Sequence, residues 1–350
     1  MNILIVKLSA IGDVIHTLPV ATALRRHYPH ARIAWLVEEG AKDLVIGHPA
    51  LDRVLVSGRK RWIADLKNGR RAQAAGEAGR LILALRDTRY DLLLDLQASL
   101  KSGVLIALAR AGRKVGFGKG MAHSEHSHVF LNERIPAVSM EVHALDRGLI
   151  LLEAIGVPAG DTIVYDLPVT GADRQVADTL LRDARLTAGR PLIAVNPLAK
   201  WATKLWPAAR FAELADRMVR DLGAGVVFTG APEDRPLIEA IIARMSAPAL
   251  NLAGRTTLKS LAAVYERTDL VVSTDTGPMH LAAAAGAPVV ALFGPTAPWR
   301  TGPYGPGHRI VRVPMACSPC FKRHCPTTAC MDAITVDNVL AEVGKVLKRT

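Results

Sequence analysis

The sequence has few aromatic residues and no long hydrophobic run. Phe, Trp and Tyr make up 5% of its 350 residues, and no aromatic RNA-binding signature is present, which makes nucleic acid a weak candidate partner. No uninterrupted apolar stretch approaches the roughly 18 to 20 residues of a membrane-spanning helix. Half of the residues are nevertheless apolar and 22% are charged, which excludes disorder as the main state. The length suits two domains of about 150 to 200 residues each.

Two common N-terminal features are also missing. The first residues, MNILIVKLSAIGDVIHTLP, have no basic leader before the apolar run and include Lys7, Asp13 and His16. They indicate a first strand and helix instead of a signal peptide, and we expect a soluble, cytoplasmic protein. The turn after this strand is not a GxGxxG sequence, which argues against an NAD-dependent oxidoreductase.

Positive charge is in excess. The chain has 44 Lys and Arg residues against 32 Asp and Glu, a net charge of +12. Between Arg53 and Arg89, ten basic residues face three acidic ones. A basic surface attracts nucleic acid, an anionic membrane, or a phosphorylated or carboxylated substrate. The alternative is that these residues form an ordinary solvated surface.

Short β-rich runs alternate with amphipathic helical stretches, a pattern typical of parallel α/β units. Residues 157–190 separate two such series. The sequence therefore predicts two doubly wound, Rossmann-like domains facing across a cleft, at 1–165 and 185–335, and a C-terminal helix at 336–350. Ligands of such sheets bind beyond the carboxyl ends of the strands. The predicted strands are 3–6, 31–37, 53–56, 91–96 and 114–117 in the first series, and 191–197, 223–230, 247–254, 268–275 and 287–294 in the second.

The segment Ser9–Asp13 follows the first predicted strand and opens the first predicted helix. A turn that contains Gly12 lets a ligand approach the backbone, and the helix N-terminus favours anions. Asp13 is therefore a candidate functional carboxylate at the cleft. The alternative is that Asp13 only complements the helix dipole, a contribution of at most about 1 kcal/mol.

The segment STDTGPMH at 273–280 combines the most features of a ligand site. Hydroxyl groups, backbone N–H groups and Gly277 lie between a predicted strand and a helix, an arrangement that binds phosphate. Asp275 can accept hydrogen bonds from a sugar hydroxyl, Thr276 adds a further hydroxyl, and His280 can point back toward the same anion. The alternative is a capped helix with a structural histidine.

Two further segments follow predicted strands of the second series. Lys200 and Lys204 precede a predicted helix N-terminus, where cations oppose the helix dipole, and a bound diphosphate would remove that conflict. Glu233 lies where the next strand gives way to a helix. It suits a ribose contact or a favourable interaction with the helix dipole equally well.

All of the cysteines lie within fourteen residues: Cys317, Cys320, Cys325 and Cys330. Because disulfides are disfavoured in the cytoplasm, thiolate ligation of zinc or of an iron–sulfur cluster is one interpretation. The spacing is not a standard pair of CxxC motifs, however, and two prolines interrupt it. Reduced structural thiols and redox-labile pairs are the alternatives to a metal.

Six motifs carry a resemblance to a known family: VKLSAIGDVIHTLP (6–19), WLVEEG (35–40), RKRW (59–62), YDLLLDLQASLKS (90–102), KLWP (204–207) and STDTGPMHLAAA (273–284). They resemble the ADP-heptose:lipopolysaccharide heptosyltransferases, glycosyltransferase family 9, over nearly the whole chain. The N-terminal motifs are most similar to heptosyltransferase I. The chain departs from that pattern at Ala98, where Gly is usual, at Ala199 and Lys200, where hydroxyl residues are usual, and in the cysteine-rich segment.

The resemblance implies a GT-B fold and a metal-independent, inverting transfer of L-glycero-D-manno-heptose from ADP-heptose to Kdo of the lipopolysaccharide inner core, without a cofactor. It implies that Asp13 is the catalytic base, that the first domain binds the acceptor and that the second binds the ADP-sugar. The implied donor-binding residues are Lys204, Glu233, Asp275, Thr276, Gly277 and His280, and the implied acceptor-binding residues are Arg59, Lys60, Arg61, Gln97 and Lys101.

The expected partners are ADP-heptose, Kdo2-lipid A or the heptosylated inner core, and the cytoplasmic face of the inner membrane; nucleic acid is not expected. Peripheral attachment to the membrane would use the basic surface. Two alternatives stay open. Heptosyltransferase II or another family 9 member would add a sugar further out in the core. A non-catalytic nucleotide-sugar-binding protein would bind ADP-heptose without turnover.

Overall fold

The computed structural model describes residues 1–121, 126–183 and 189–348. The chain divides into two compact units, Met1–Pro168 and the part that starts at Val169. Each unit is built on one six-stranded sheet. The expected domain start at residue 185 lies outside the described residues. Among the described residues, no helix has the length and apolar character needed to cross a membrane.

The first unit alternates strands with helices, and every strand pair in its sheet is parallel. Its elements are β1 (Asn2–Val6), α1 (Ile11–Ile15), α2 (Leu18–His27), β2 (Arg32–Glu38), β3 (Arg53–Ser57), α3 (Arg59–Lys67), α4 (Arg71–Arg86), β4 (Tyr90–Asp95), α5 (Leu100–Leu108), β5 (Ala111–Phe117), β6 (Glu133–Ile135) and α6 (Ala144–Ala154). The strand order is β3-β2-β1-β4-β5-β6. It reverses between β1 and β4, and the loops after these two strands therefore meet where doubly wound sheets bind ligands.

The second unit repeats this design. Its elements are α7 (Gly171–Asp183), β7 (Leu192–Asn196), α8 (Ala208–Leu222), β8 (Gly225–Phe228), α9 (Arg235–Ile242), β9 (Leu250–Asn251), α10 (Leu258–Tyr265), β10 (Leu270–Thr274), α11 (Gly277–Ala284), β11 (Val289–Leu292), α12 (Pro298–Thr301), β12 (Arg309–Val311), α13 (Ala329–Asp332) and α14 (Val336–Leu347). The order β12-β11-β10-β7-β8-β9 puts its reversal between β7 and β10. The predicted α/β class with two Rossmann-like sheets is confirmed.

Strands buried on both faces explain the continuous apolar runs in the sequence. Ile3, Leu4 and Ile5 of β1 are fully buried, as are Val271 and Val272 of β10. Helices cover both faces of each sheet in such folds and bury one apolar stripe each.

The C-terminal helix is part of the core of the second unit. Val339 and Val343 of α14 are fully buried. The indole N–H of Trp206 donates to the carbonyl of Ile334 at 2.9 Å, just before α14, and its ring packs edge-on against Phe211 of α8. The KLWP segment is therefore held in place by the residue stretch that leads into α14.

Two details differ from the sequence prediction. Each sheet has a sixth strand, β6 or β12, that the alternation did not reveal because these edge strands have only three residues and carry charged side chains. The first helix that the sequence predicted, after the first strand, is two helices, α1 and α2. Thr17 interrupts it, donating its hydroxyl to the carbonyl of Asp13 at 2.8 Å, and Pro19 in the first turn of α2 has no N–H to continue the ladder.

Candidate functional site

A pocket of about 240 Å³ lies beyond the carboxyl ends of β1 and β4 in the first unit. Four charged residues line it: Lys7, Asp13, Asp95 and Arg147. Gln97, Ala98 and the rings of His16 and Phe117 complete much of the wall. The structure therefore puts the predicted carboxylate, Asp13, in a cavity with two cations, neither of which the sequence singled out as a site residue.

Asp13 is the third residue of α1 and is half-buried. Its Oδ2 accepts a hydrogen bond from the N–H of Ala10 at 3.0 Å. The carboxylate therefore caps its own helix and also lines the pocket. A role in the helix cap and a role as a functional carboxylate are thus compatible.

Lys7 follows β1 and faces the same pocket. Its Nζ donates to the carbonyl of Leu96 at 2.8 Å. Burial lowers the pKa of Lys7, while the negative charges of Asp13 and Asp95 act in the opposite direction and the Arg147 guanidinium adds to the lowering. A lysine directly after the apolar run ILIV was the sequence signal for this residue.

Asp95 is the last residue of β4 and lines the pocket. It accepts the backbone N–H groups of Gln97 and Ala98, both at 3.1 Å. Burial raises the pKa of Asp95, although these two N–H groups lower it. Ala98 has a φ of 49°, in the left-handed region that favours glycine, which gives a physical reason for the glycine usual at this position.

Gln97 and Lys101 hold the loop between β1 and α1. The side-chain oxygen of Gln97 accepts the N–H groups of Leu8 and Ser9 at 2.8 and 3.0 Å. Lys101 Nζ donates to the hydroxyl of Ser9 at 2.7 Å and lies 3.9 Å from Glu38, and burial lowers its pKa. Of these two predicted acceptor-binding residues, Gln97 lines the pocket.

The basic segment Arg59–Arg61 begins α3 and does not line this pocket. Arg59 pairs with Glu38 at 2.9 Å. Arg61 pairs with Glu39 at 3.1 Å and with Glu77 at 2.8 Å, whereas Lys60 is exposed. The positive charge of this segment is therefore partly neutralised by acidic residues distant in sequence, and its role at an acceptor stays a prediction.

In the second unit, the loops after β7 and β10 meet through an ion pair. Lys204 Nζ lies 2.6 Å from Asp275 Oδ2, and the two side chains are 15% and 5% exposed. The hydroxyl of Thr296 donates to the same oxygen at 2.6 Å. Asp275 therefore supplies a negative charge that compensates Lys204, whereas the sequence predicted a bound diphosphate in this role.

The remaining predicted donor residues are placed as follows. Thr276 is the N-cap of α11, Gly277 is its first residue, and His280 is buried within its first turn. Thr276 and Gly277 follow Asp275 directly, so the segment runs from the end of β10 into the first turn of α11. Thr296, which was not predicted from the sequence, follows the carboxyl end of the neighbouring strand β11.

Glu233 is exposed in a short 3₁₀ helix, Pro232–Asp234. Asp234, not Glu233, caps this turn, because its Oδ2 accepts the N–H of Ala231 at 2.7 Å. The helix-dipole interpretation thus belongs to Asp234, and the ribose contact of Glu233 stays a prediction.

The four cysteines are free thiols, with Cys330 buried and Cys317 and Cys325 exposed. Hydrogen bonds from the backbone N–H groups of Thr327 and Thr328 lower the pKa of Cys325, and burial raises that of Cys330. In the described part of the chain, no group of three or more His, Cys, Asp or Glu side chains is arranged to hold a metal ion.

Comparisons with known proteins agree with this architecture. A model of glycosyltransferase family 9 (heptosyltransferase) matches residues 78–330. Lipopolysaccharide heptosyltransferase 1 of Pseudomonas aeruginosa is 32% identical over 329 residues, which cover 93% of this chain and 87% of that protein.

Two solved structures have the same fold over almost their full lengths. The family 9 glycosyl transferase of Veillonella parvula superposes with a TM-score of 0.85 at 25% identity and covers 100% of this chain and 98% of its own. The E. coli heptosyltransferase WaaC with ADP gives a TM-score of 0.77, also at 25% identity, and covers 99% of this chain and 100% of its own.

Proposed function

This chain belongs to glycosyltransferase family 9, and we propose that it transfers L-glycero-D-manno-heptose from ADP-heptose to Kdo of the lipopolysaccharide inner core. The GT-B fold and an ADP-bound relative of similar structure support a nucleotide-sugar donor. One observation carries the assignment within this molecule: the Asp13 carboxylate lines a pocket that also contains the cations Lys7 and Arg147. Such a pocket suits the hydroxyl of an acceptor that is itself anionic.

In the proposed mechanism, Asp13 takes the proton from the attacking hydroxyl of the acceptor. The oxygen then forms a bond to the anomeric carbon of heptose as the bond to the ADP oxygen breaks, so the configuration at that carbon inverts. Lys7 and Arg147 orient the carboxylates of the acceptor. Gln97 and Lys101 act as positioning residues, because they fix the loop that precedes Asp13.

The second unit stabilises the leaving group, ADP. Lys204, the N-terminal end of α11 at Thr276 and Gly277, and His280 stabilise the negative charge that develops on the diphosphate. Asp275 holds Lys204 in place and contacts the sugar, and Glu233 contacts the ribose. This arrangement assigns to protein groups the charge stabilisation for which other transferases use a divalent cation.

A transfer assay with purified protein, ADP-heptose and Kdo2-lipid A tests the proposal. We expect turnover with the heptose-free acceptor, and we expect it to persist in excess chelator because protein cations face the leaving group. Transfer only to heptose-bearing core would instead assign the protein to heptosyltransferase II or another family 9 activity. ADP-heptose binding without turnover on either acceptor would indicate a non-catalytic binding protein.

The proposal includes peripheral association with the cytoplasmic face of the inner membrane. Its support is the excess of basic residues in the first unit, among which Lys60, Lys67 and Arg71 are exposed on α3 and α4. Anionic lipids attract such residues with about 1 kcal/mol each near the surface, and salt screens the attraction.

Vesicle sedimentation tests this association. We expect binding to phosphatidylglycerol vesicles but not to phosphatidylcholine vesicles, with loss of binding in high salt. The double reversal Lys67→Glu/Arg71→Glu should weaken binding several-fold, whereas reversal of two exposed arginines of the second unit, Arg244→Glu/Arg255→Glu, should not. Equal effects of the two pairs would show that net charge, not this surface, attracts the membrane.

A further inference from the structure

The cysteine-rich segment, residues 317–330, is attached to both loops that carry the proposed donor site. The hydroxyl of Thr203, next to Lys204, donates to the carbonyl of Lys322 at 2.9 Å. The N–H groups of Cys320 and Phe321 donate to the carbonyl of Pro295, next to Thr296, at 3.0 and 2.8 Å. The segment therefore lies at the carboxyl ends of the strands of the second sheet, as does the Lys204–Asp275 pair.

These contacts bring a second cation beside Lys204. The guanidinium carbon of Arg323 lies 5.0 Å from the ring centroid of Trp201, and Lys204 Nζ lies 4.5 Å from the same centroid. Because both cations are held against one indole ring, they stand within about 10 Å of each other. Two long, positively charged side chains at this separation can reach the two phosphates of one diphosphate.

The charge balance of the site calls for such a cation. Lys204 is already compensated by Asp275 at 2.6 Å, so this pair contributes almost no net charge. The N-terminus of α11 adds the equivalent of about half a positive charge. A nucleoside diphosphate carries more than one negative charge, so these groups alone leave it under-compensated.

Arg323 is suited to this task. It is exposed, and in the part of the chain that the structure describes it forms no ion pair with a carboxylate. Contact with the indole ring restricts its side chain before a ligand binds, which reduces the entropy cost of binding. A guanidinium group also presents a planar set of N–H donors that matches phosphate oxygens.

We infer that Arg323 is a donor-binding residue that contacts the diphosphate of the nucleotide-sugar, and that the cysteine-rich segment serves to deliver it to this site. The inference rests on the function proposed above and extends the donor site beyond the residues of the sequence motifs. It assigns a role to a segment that the predicted mechanism left unused.

Titrations of the full chain with ADP and with AMP test the inference, with binding followed by calorimetry. For Arg323→Gln we expect ADP affinity to fall about tenfold, AMP affinity to change much less, and the dependence of ADP affinity on salt to become shallower. Arg323→Lys should recover part of the loss. Lys322→Gln, which removes the same charge one residue earlier in the chain, is the matched control and should have little effect.

The outcomes separate the inference from the proposed function. Unchanged ADP affinity in Arg323→Gln, or equal losses in Arg323→Gln and Lys322→Gln, overturns the inference while transfer by the wild-type protein still stands. Equal losses for ADP and AMP would show that Arg323 only supports the fold of the site, and would overturn it too. Failure of the wild-type protein to bind ADP overturns both.

Discussion

Replacing Asp13 by Asn is expected to reduce kcat for heptose transfer by about 10³-fold, within the range that a general base contributes. The amide oxygen of Asn can still accept the N–H of Ala10, so α1 keeps its cap and the fold should persist. ADP affinity should be unchanged, because the proposed donor-binding residues belong to the second unit. Steady-state kinetics and ADP calorimetry on the same preparation measure both quantities.

The chain offers a matched control for this variant. Asp173 also accepts the N–H of the residue three positions earlier, Thr170, at 2.9 Å at the start of a helix, α7. Asp173→Asn should leave kcat unchanged. If Asp13→Asn instead abolished ADP binding and left turnover intact, the assignment of base and donor residues would be reversed.

Replacing Lys204 by Met should lower kcat/KM by about 10² to 10³-fold, the loss typical when a group that stabilises developing charge is removed. ADP affinity should fall as well. The variant also leaves Asp275 buried without its counter-charge, which should lower the free energy of unfolding by about 3 kcal/mol. Transfer kinetics, ADP titration and denaturant unfolding report these three effects.

A double variant separates the loss of binding from the loss of stability. Lys204→Met/Asp275→Asn removes both charges, so we expect most of the stability to return while ADP affinity stays low. Arg174→Met breaks another ion pair of the second unit, with Glu266 at 2.7 Å, and serves as the control. It should cost at most about 1 kcal/mol and leave ADP affinity unchanged. Recovery of wild-type ADP affinity in the double variant would remove Lys204 from the donor site.

Much of the fold follows from the order of residue types along the chain. The run ILIV and the four other early strand predictions each fall on a strand of the first unit, and the second series does the same. The strands that were not predicted, β6 and β12, are short edge strands without an apolar run. Periodicity reports burial, and edge strands with charged residues carry little of that signal.

The candidate residues were visible for a similar reason. Asp13 and Lys204 each follow a predicted strand and Asp275 ends one, where the topology of parallel sheets concentrates ligand-binding groups. Thr296 obeys the same rule after β11, but its part in the site is the hydrogen bond to Asp275, a contact that the sequence does not show. Lys7 was overlooked because it comes directly after the apolar run of β1, and the sequence does not show that its side chain lines the pocket.

By itself, the sequence determined the α/β class, the two series of strands and which loops carry reactive side chains, because these depend on local periodicity and on residue type. Only the tertiary structure decided which residues distant in sequence contact one another. It joined Lys204 to Asp275, 71 residues away, and Gln97 to the N–H of Leu8, 89 residues away. It also set Arg323 beside Trp201. Such pairs depend on strand order and on the course of the connecting loops, and a pattern read along one segment contains neither.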